Sequence, residues 1–280
     1  MLTDINTKSA PAVAAAAQAA FRKIFPRAST GIIDRLFFDV RRMFTGHYLD
    51  YQAVDLHYHD LEHTLQATLC FMQLLVGRHA SRVTPRFTPR QVELGLAGVL
   101  LHDTGYLKLR SDRAGTGAKY THVHVLKSCA FAAAYLPTVG ATPQELDGVL
   151  GAIRCTGPHS HVRRLYFNSH VEQLIGCALA TADYLAQMAA PDYPDKLEML
   201  FKEFREADDF ANVPPSQREF KSSGEMIAQT PGFWRKNVLP KLKTEYLGMY
   251  RFLAQPYPRG PNPYLLAIEH NIDTIKARIA

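Results

Sequence analysis

The chain has 280 residues, 47% hydrophobic and 21% charged, with 32 basic and 26 acidic side chains and a formal net charge of +6. That is enough apolar material for a sizeable core, and it excludes an intrinsically disordered chain. Four cysteines without a C-x-x-C pair argue against a disulfide scaffold or a cysteine zinc site and for a reducing compartment. In chain order, residues 10–21 are apolar but mostly alanine, short of the roughly 20 strongly apolar residues of a membrane span. Asp4 before this run, the lack of leucine within it and the continuing Phe21-Arg22-Lys23 pattern disfavour a cleaved secretory leader. A cytoplasmic protein that uses no membrane is expected.

Apolar residues then recur at three- and four-residue steps over 12–25, 31–44, 61–75, 91–101, 125–136, 143–153, 171–188 and 197–210. Thr88-Pro89 and Thr142-Pro143 with Glu145 are helix-start signals. Ile268, Ile272, Ile275 and Ile279 form the stripe of a closing helix. Strand-like alternation is missing, so the expected class is all-α. Breaks fall at 115–117, Pro158, 191–194, 214–215, 231–232 and 256–263. The expected organisation is an N-terminal helix over 1–30, a core over 31–190 and C-terminal helices over 191–280 packed on that core.

The basic excess favours anionic partners. Its densest stretch runs over 78–90, with Arg78, Arg82, Arg86, Arg90 and no acid. It reads either as a solvated loop or as an anion-attracting rim beside a phosphate site, with Arg154 and Lys119 as further positive groups. No stripe of interleaved basic and aromatic residues suggests nucleic-acid binding.

Ten of the twelve histidines lie between positions 57 and 170. In His57-Tyr58-His59-Asp60-Leu61-Glu62-His63, the pair His59 and His63 stands one helical turn apart, so both imidazoles can serve one metal. Alternatively, the stretch is a surface helix start capped by Asp60. The apolar run ending in His102-Asp103-Thr104-Gly105 carries an adjacent imidazole and carboxylate, which a divalent ion would satisfy together. Gly105 is expected to end the helix. Asp183 is the only charged residue of 174–188 and needs a cation or strong donors. His122 and His124, like His159 and His161, alternate, so at most one of each pair is expected to face any given site, and each alone reads first as structural.

The order of these parts resembles the HD-domain metal-dependent phosphohydrolases. Their signature of an early helical histidine, an adjacent His-Asp pair and a distant aspartate corresponds here to His63, His102-Asp103 and Asp183. Tyr58-His59-Asp60-x-x-His63 is similar to the opening motif of class I cyclic-nucleotide phosphodiesterases. Leu100-Leu101-His102-Asp103-Thr104-Gly105 resembles the central motif of the superfamily. His124-x-x-x-Ser128, Ile153-x-x-Thr156-x-x-His159 and Thr181-Ala-Asp183 resemble its remaining elements.

The likeness spans about residues 50–190. Asp60 replaces the phosphodiesterase asparagine, and Tyr106 stands where the bacterial cyclic-dinucleotide branch has lysine.

The resemblance implies a compact multi-helix fold and one or two divalent ions (Zn, Mn, Mg or Fe). It implies His63, His102, Asp103 and Asp183 as ligands of the first ion. Asp103 would bridge to a second, with His124 and His159 as added ligands and His59 as general acid. The implied activity is hydrolysis of a nucleotide-like phosphate ester, cyclic nucleotides first, by metal-activated hydroxide. The alternatives are a di-iron oxygenase and a non-catalytic signalling or binding module. The expected partner is a small phosphate ester, and a homodimer is admitted.

Overall fold

A computed structural model describes residues 5–157 and 160–279. Its helices begin where the sequence supplies a cap. The Ser9 hydroxyl accepts from the Ala12 N–H at the start of α1 (Ala10–Ile24), which buries Val13, Ala17 and Phe21 at four-residue steps. After α2 (Gly31–Phe44), Asp60 caps α3 (Leu61–Ala80) by accepting from the His63 N–H at 2.8 Å. Capping boxes open α4 (Pro89–Leu101), from Thr88 and Gln91, and α6 (Pro143–Arg154), from Thr142 and Glu145. Between them lies α5 (His124–Tyr135).

Ser169 caps α7 (His170–Ala189), and α8 (Tyr193–Phe210) follows after a short turn. The chain continues with α9 (Ser223–Phe233) and closes with α10 (Pro263–Ile279).

The central pair is α3 and α7. Around it, α1 packs on α3, and α4, α6 and α10 pack on α7. Every residue of α7 from 174 to 186 is buried, as expected of a helix apolar on all faces. Asp183 therefore has no solvent-facing side to occupy.

From the C-terminal part, Asn271 Nδ2 donates to the carbonyls of Met188 (2.9 Å) and Ala190 (2.8 Å), and the Tyr264 hydroxyl lies 2.9 Å from Gln73 Oε1. The closing stripe is buried through Ile268, Ile272 and Ile275, whereas Ile279 is 47% exposed beyond the last packing turn.

The fold is all-α. Among the described residues there is no strand, only the isolated bridges Thr45–Ala53 and Tyr51–Leu109. No described helix is long and apolar enough to cross a membrane.

The sequence reading misses α9 and treats Pro231-Gly232 as a break. Pro231 instead sits in the last turn of α9, and the chain continues through π-helical turns at Trp234–Val238 and Lys241–Glu245.

Candidate metal centre

The ligands expected for a first ion arrive from three helices. His63 lies in the first turn of α3, His102 and Asp103 end α4, and Asp183 stands midway along α7; all are buried. Nε2 of His63 and Nε2 of His102 are 3.4 Å apart, and each lies 3.3 Å from Asp103 Oδ2. These atoms make a nearly equilateral triangle. Asp183 Oδ1 reaches the same two nitrogens at 3.2 and 3.5 Å. Among the described residues, His63, His102 and Asp103 are the ones that offer ligand atoms all within 4.8 Å of one another, and Asp183 adjoins this set through the two imidazoles.

The local chain orients these groups. His102 Nδ1–H donates to the Val99 carbonyl at 2.8 Å, which assigns the proton to Nδ1 and leaves the Nε2 lone pair facing the cluster. On the far side of Asp183, Gln187 Nε2 donates to Asp183 Oδ1 at 3.3 Å, and Gln187 Oε1 accepts from the Tyr58 hydroxyl at 2.7 Å.

The cluster has the character of a cation site. Burial alone would lower His63, but Asp103 and Asp183 outweigh it and raise the imidazole to about 10. His102 is raised in the same way. Burial would raise Asp103 and Asp183, yet His102 and His63 hold both carboxyls well below the usual carboxylate range. Asp103 Oδ2 and His63 Nδ1 are buried without a hydrogen-bond partner. Nitrogen and carboxylate donors at this spacing fit a first-row divalent ion, whose bonds of about 2.0–2.2 Å hold neighbouring ligand atoms some 3 Å or slightly more apart.

His124 faces the other oxygen of Asp103. Its Nδ1–H donates to the Thr121 carbonyl at 2.6 Å, and its Nε2 lies 3.9 Å from Asp103 Oδ1. His122 turns away to Asp208 at 2.9 Å, so this alternating pair sends one imidazole to the site. His159 lies outside the described residues. Its neighbour His161 pairs with Glu245 at 3.6 Å.

His59 reaches the site differently from the helical-face expectation. Helix α3 begins after Asp60, so His59 belongs to the preceding turn, although its ring centroid is still 5.7 Å from that of His63. Two groups that the sequence reading missed hold it. Glu203 of α8 places Oε2 2.6 Å from His59 Nδ1, while its Oε1 accepts the N–H groups of His57 (3.2 Å) and Tyr58 (2.8 Å).

Tyr106 stacks on His59 (4.7 Å, 23°) and on His124 (4.7 Å, 12°). Those imidazoles are 6.2 Å apart, well under twice the stacking distance, so both rest on one face of the phenol ring.

Gly105 has a different role from the helix terminator expected. Its φ is not positive, and a Cβ there would collide with the His124 carbonyl and lie 2.8 Å from the Ser128 nitrogen. Gly105 N–H also donates to Ser128 Oγ at 2.8 Å, so the glycine lets α5 approach the His102-Asp103 turn.

The cluster forms the buried floor of a cavity of about 1070 Å³. Phe204, Phe220, Phe233 and Leu165 stand on its walls, and Arg154, Arg164 and Lys236 also line it. One wall segment is tethered from the second π-helical turn. There the Val162 N–H donates to Glu245 Oε1 at 2.7 Å, and Lys241 Nζ donates to the Ser160 carbonyl at 3.0 Å.

The arginine-rich stretch is not a rim of this cavity. Arg78 is buried over the Phe87 ring at 4.1 Å, Arg86 donates to the His79 carbonyl, and Arg90 binds Glu145 at 2.7 Å. Lys119 is likewise buried, held by Asp112 and the Ala114 carbonyl. No protein-family model matches the chain, and no curated protein matches it.

Proposed function

We propose that this protein is a metal-dependent phosphohydrolase acting on a nucleotide-like phosphate ester, with cyclic nucleotides first among its substrates. The observation that carries this reading is the triangle of His63 Nε2, His102 Nε2 and Asp103 Oδ2, with sides of 3.3–3.4 Å, at the floor of a cavity large enough for a nucleotide. The resemblance of the surrounding motifs to HD-domain enzymes supports it.

His63, His102 and Asp103 would hold the first ion, with Asp183 beside both imidazoles, and Asp103 with His124 offers donors to a second. Bound there, divalent metal supplies Lewis-acid polarisation of a phosphoryl oxygen and acidifies water. The remaining chemistry belongs to the chain. His59 is the proton donor for the departing oxygen, because its Nδ1 is engaged by Glu203 and its Nε2 is left for the substrate. Glu203 fixes that orientation. Tyr106 sets the separation between the donor and His124. Gln187 and Tyr58 keep the Asp183 carboxylate aimed at the imidazoles.

The His124–Asp103 proximity of 3.9 Å also favours a second reading, an oxygen-activating di-iron centre. Metal analysis combined with hydrolysis of cyclic, linear and dinucleotide phosphates separates the two. The expected result is turnover that tracks bound metal and is abolished in Asp103→Ala with helicity intact. Full activity of that variant would overturn the proposal. Iron with substrate-dependent oxygen uptake and no hydrolysis would replace it with the second reading, and metal-independent binding without turnover would leave a binding module.

A further inference from the structure

The cavity is chemically graded from floor to mouth. The floor is the buried imidazole–carboxylate cluster, the middle is walled by Phe204, Phe220, Phe233 and Leu165, and Arg154, Arg164 and Lys236 line its exposed side. These cations come from unrelated places: the last residue of α6, the short turn Val162–Arg164 and the first π-helical turn. Among the described residues, none of them has a carboxylate partner. In this they differ from Arg90 and Lys119, which are engaged by acids, and from Lys196, which is shared by Asp60, Glu62 and Asp192. Glu219 is the acid on the same lining outside the metal cluster, so the mouth keeps a positive excess.

We infer that Arg154, Arg164 and Lys236 form a distal anion subsite, so that the substrate carries a second anionic group separated from the scissile phosphoryl by an aromatic moiety. This rests on the phosphohydrolase reading for the identity of the group at the floor, and it narrows that reading from cyclic mononucleotides to esters that carry a second phosphate. The physical argument is one of matching. A substrate with one anionic group would occupy the floor and make no use of the three cations on the exposed side of the lining. A low-dielectric cleft with one sign of charge at its opening concentrates the field there and draws in an anion. Two arginines favour a phosphate, whose oxygens they can bind through paired N–H groups. The aromatic walls between the two ends suit a nucleobase or similar flat group.

The test compares two substrates that differ only in the distal charge: a linear dinucleoside monophosphate and the same molecule with a 5′-terminal phosphate. The metal-loaded wild type is expected to have a KM at least tenfold lower for the phosphorylated form. In the triple variant R154Q/R164Q/K236Q that preference should fall to threefold or less, with bound metal unchanged. A preference of the same size in both proteins, or no preference in the wild type, would overturn the inference. If the wild type cleaves neither compound, the phosphohydrolase reading is judged on cyclic nucleotides, and it fails if they too are not hydrolysed. Calorimetric binding of the same pair to chelator-treated protein then decides the subsite alone. Tenfold tighter binding of the phosphorylated form, lost in the triple variant, upholds it; equal binding overturns it.

Discussion

Glu203 Oε2 lies 2.6 Å from His59 Nδ1 although 144 positions separate the two residues in the chain. One carboxylate thereby sets both the ring orientation of His59 and, through the His57 and Tyr58 N–H groups, the course of the backbone leading into α3. In Glu203→Gln the amide oxygen can still accept from the backbone, but the negative charge beside the imidazole is gone. Turnover should fall by about 10–100-fold, within the range of general-acid contributions, with metal content unchanged. A variant that keeps full turnover would remove Glu203 from the mechanism.

Proton release on metal binding follows from the charge balance of the cluster. With His63 raised to about 10, the metal-free site holds a proton at neutral pH that a divalent ion must displace. Calorimetry in two buffers of different ionisation enthalpy should show about one proton released per ion near pH 7, and affinity should rise as pH rises. In the metal-free protein the sign is opposite. The protonated imidazole contributes stability that is fully present below its unfolded value and is lost as pH climbs through about 10. Saturating metal should raise Tm by about 5–10 °C over chelator-treated protein.

Tyr106 separates the effects of ring and hydroxyl. Its buried hydroxyl has no hydrogen-bond partner among the described residues; the Thr121 hydroxyl nearby donates to the Ala118 carbonyl instead. Tyr106→Phe should leave Tm equal or slightly higher, because an unanswered polar atom is removed. Tyr106→Leu deletes the face on which His59 and His124 rest and should lower turnover well below that of the Phe variant. Equal activity of the two variants would rule out the platform role.

Gly105→Ala tests the close approach of α5. The added methyl meets backbone atoms of His124 and Ser128, which cannot rotate away. A cost of about 3 kcal/mol or more is expected, since overpacking against a fixed backbone sits at the upper end of its range. Denaturant unfolding measures it, and a change below about 0.5 kcal/mol, the size of an ordinary surface substitution, would show that the two elements can part freely.

Much of this arrangement is legible in the chain. Thr88 and Thr142 announce their helices, and Asp183 alone within an apolar run signals a buried charge in need of a cation. Glu203 is hidden because it sits in Lys202-Glu203-Phe204-Arg205-Glu206, which reads as a solvated helix face. A sharper signal was present. Leu197, Leu200 and Ala207 lie on the same helical side, so Glu203 falls on the apolar stripe and is buried with it. Tyr106 could not be read at all, since stacking across α5 and the turn before α3 depends on how the helices pack. The arginine stretch left two readings open, a solvated loop and an anion-attracting rim. Charge density alone does not tell a cation at a cavity from one engaged by Glu145 or lying over Phe87.

The triangle at the floor joins α3 to the end of α4, and Asp183 adds α7 from the central pair. A divalent ion held by the triangle would pin α3 to the end of α4 like a rivet through two beams, and the His63 and His102 imidazoles would pass that constraint to Asp183 on α7. Stiffness of the scaffold and readiness of the floor for chemistry should therefore rise and fall together, and rigidity would be gained at the moment the ion arrives.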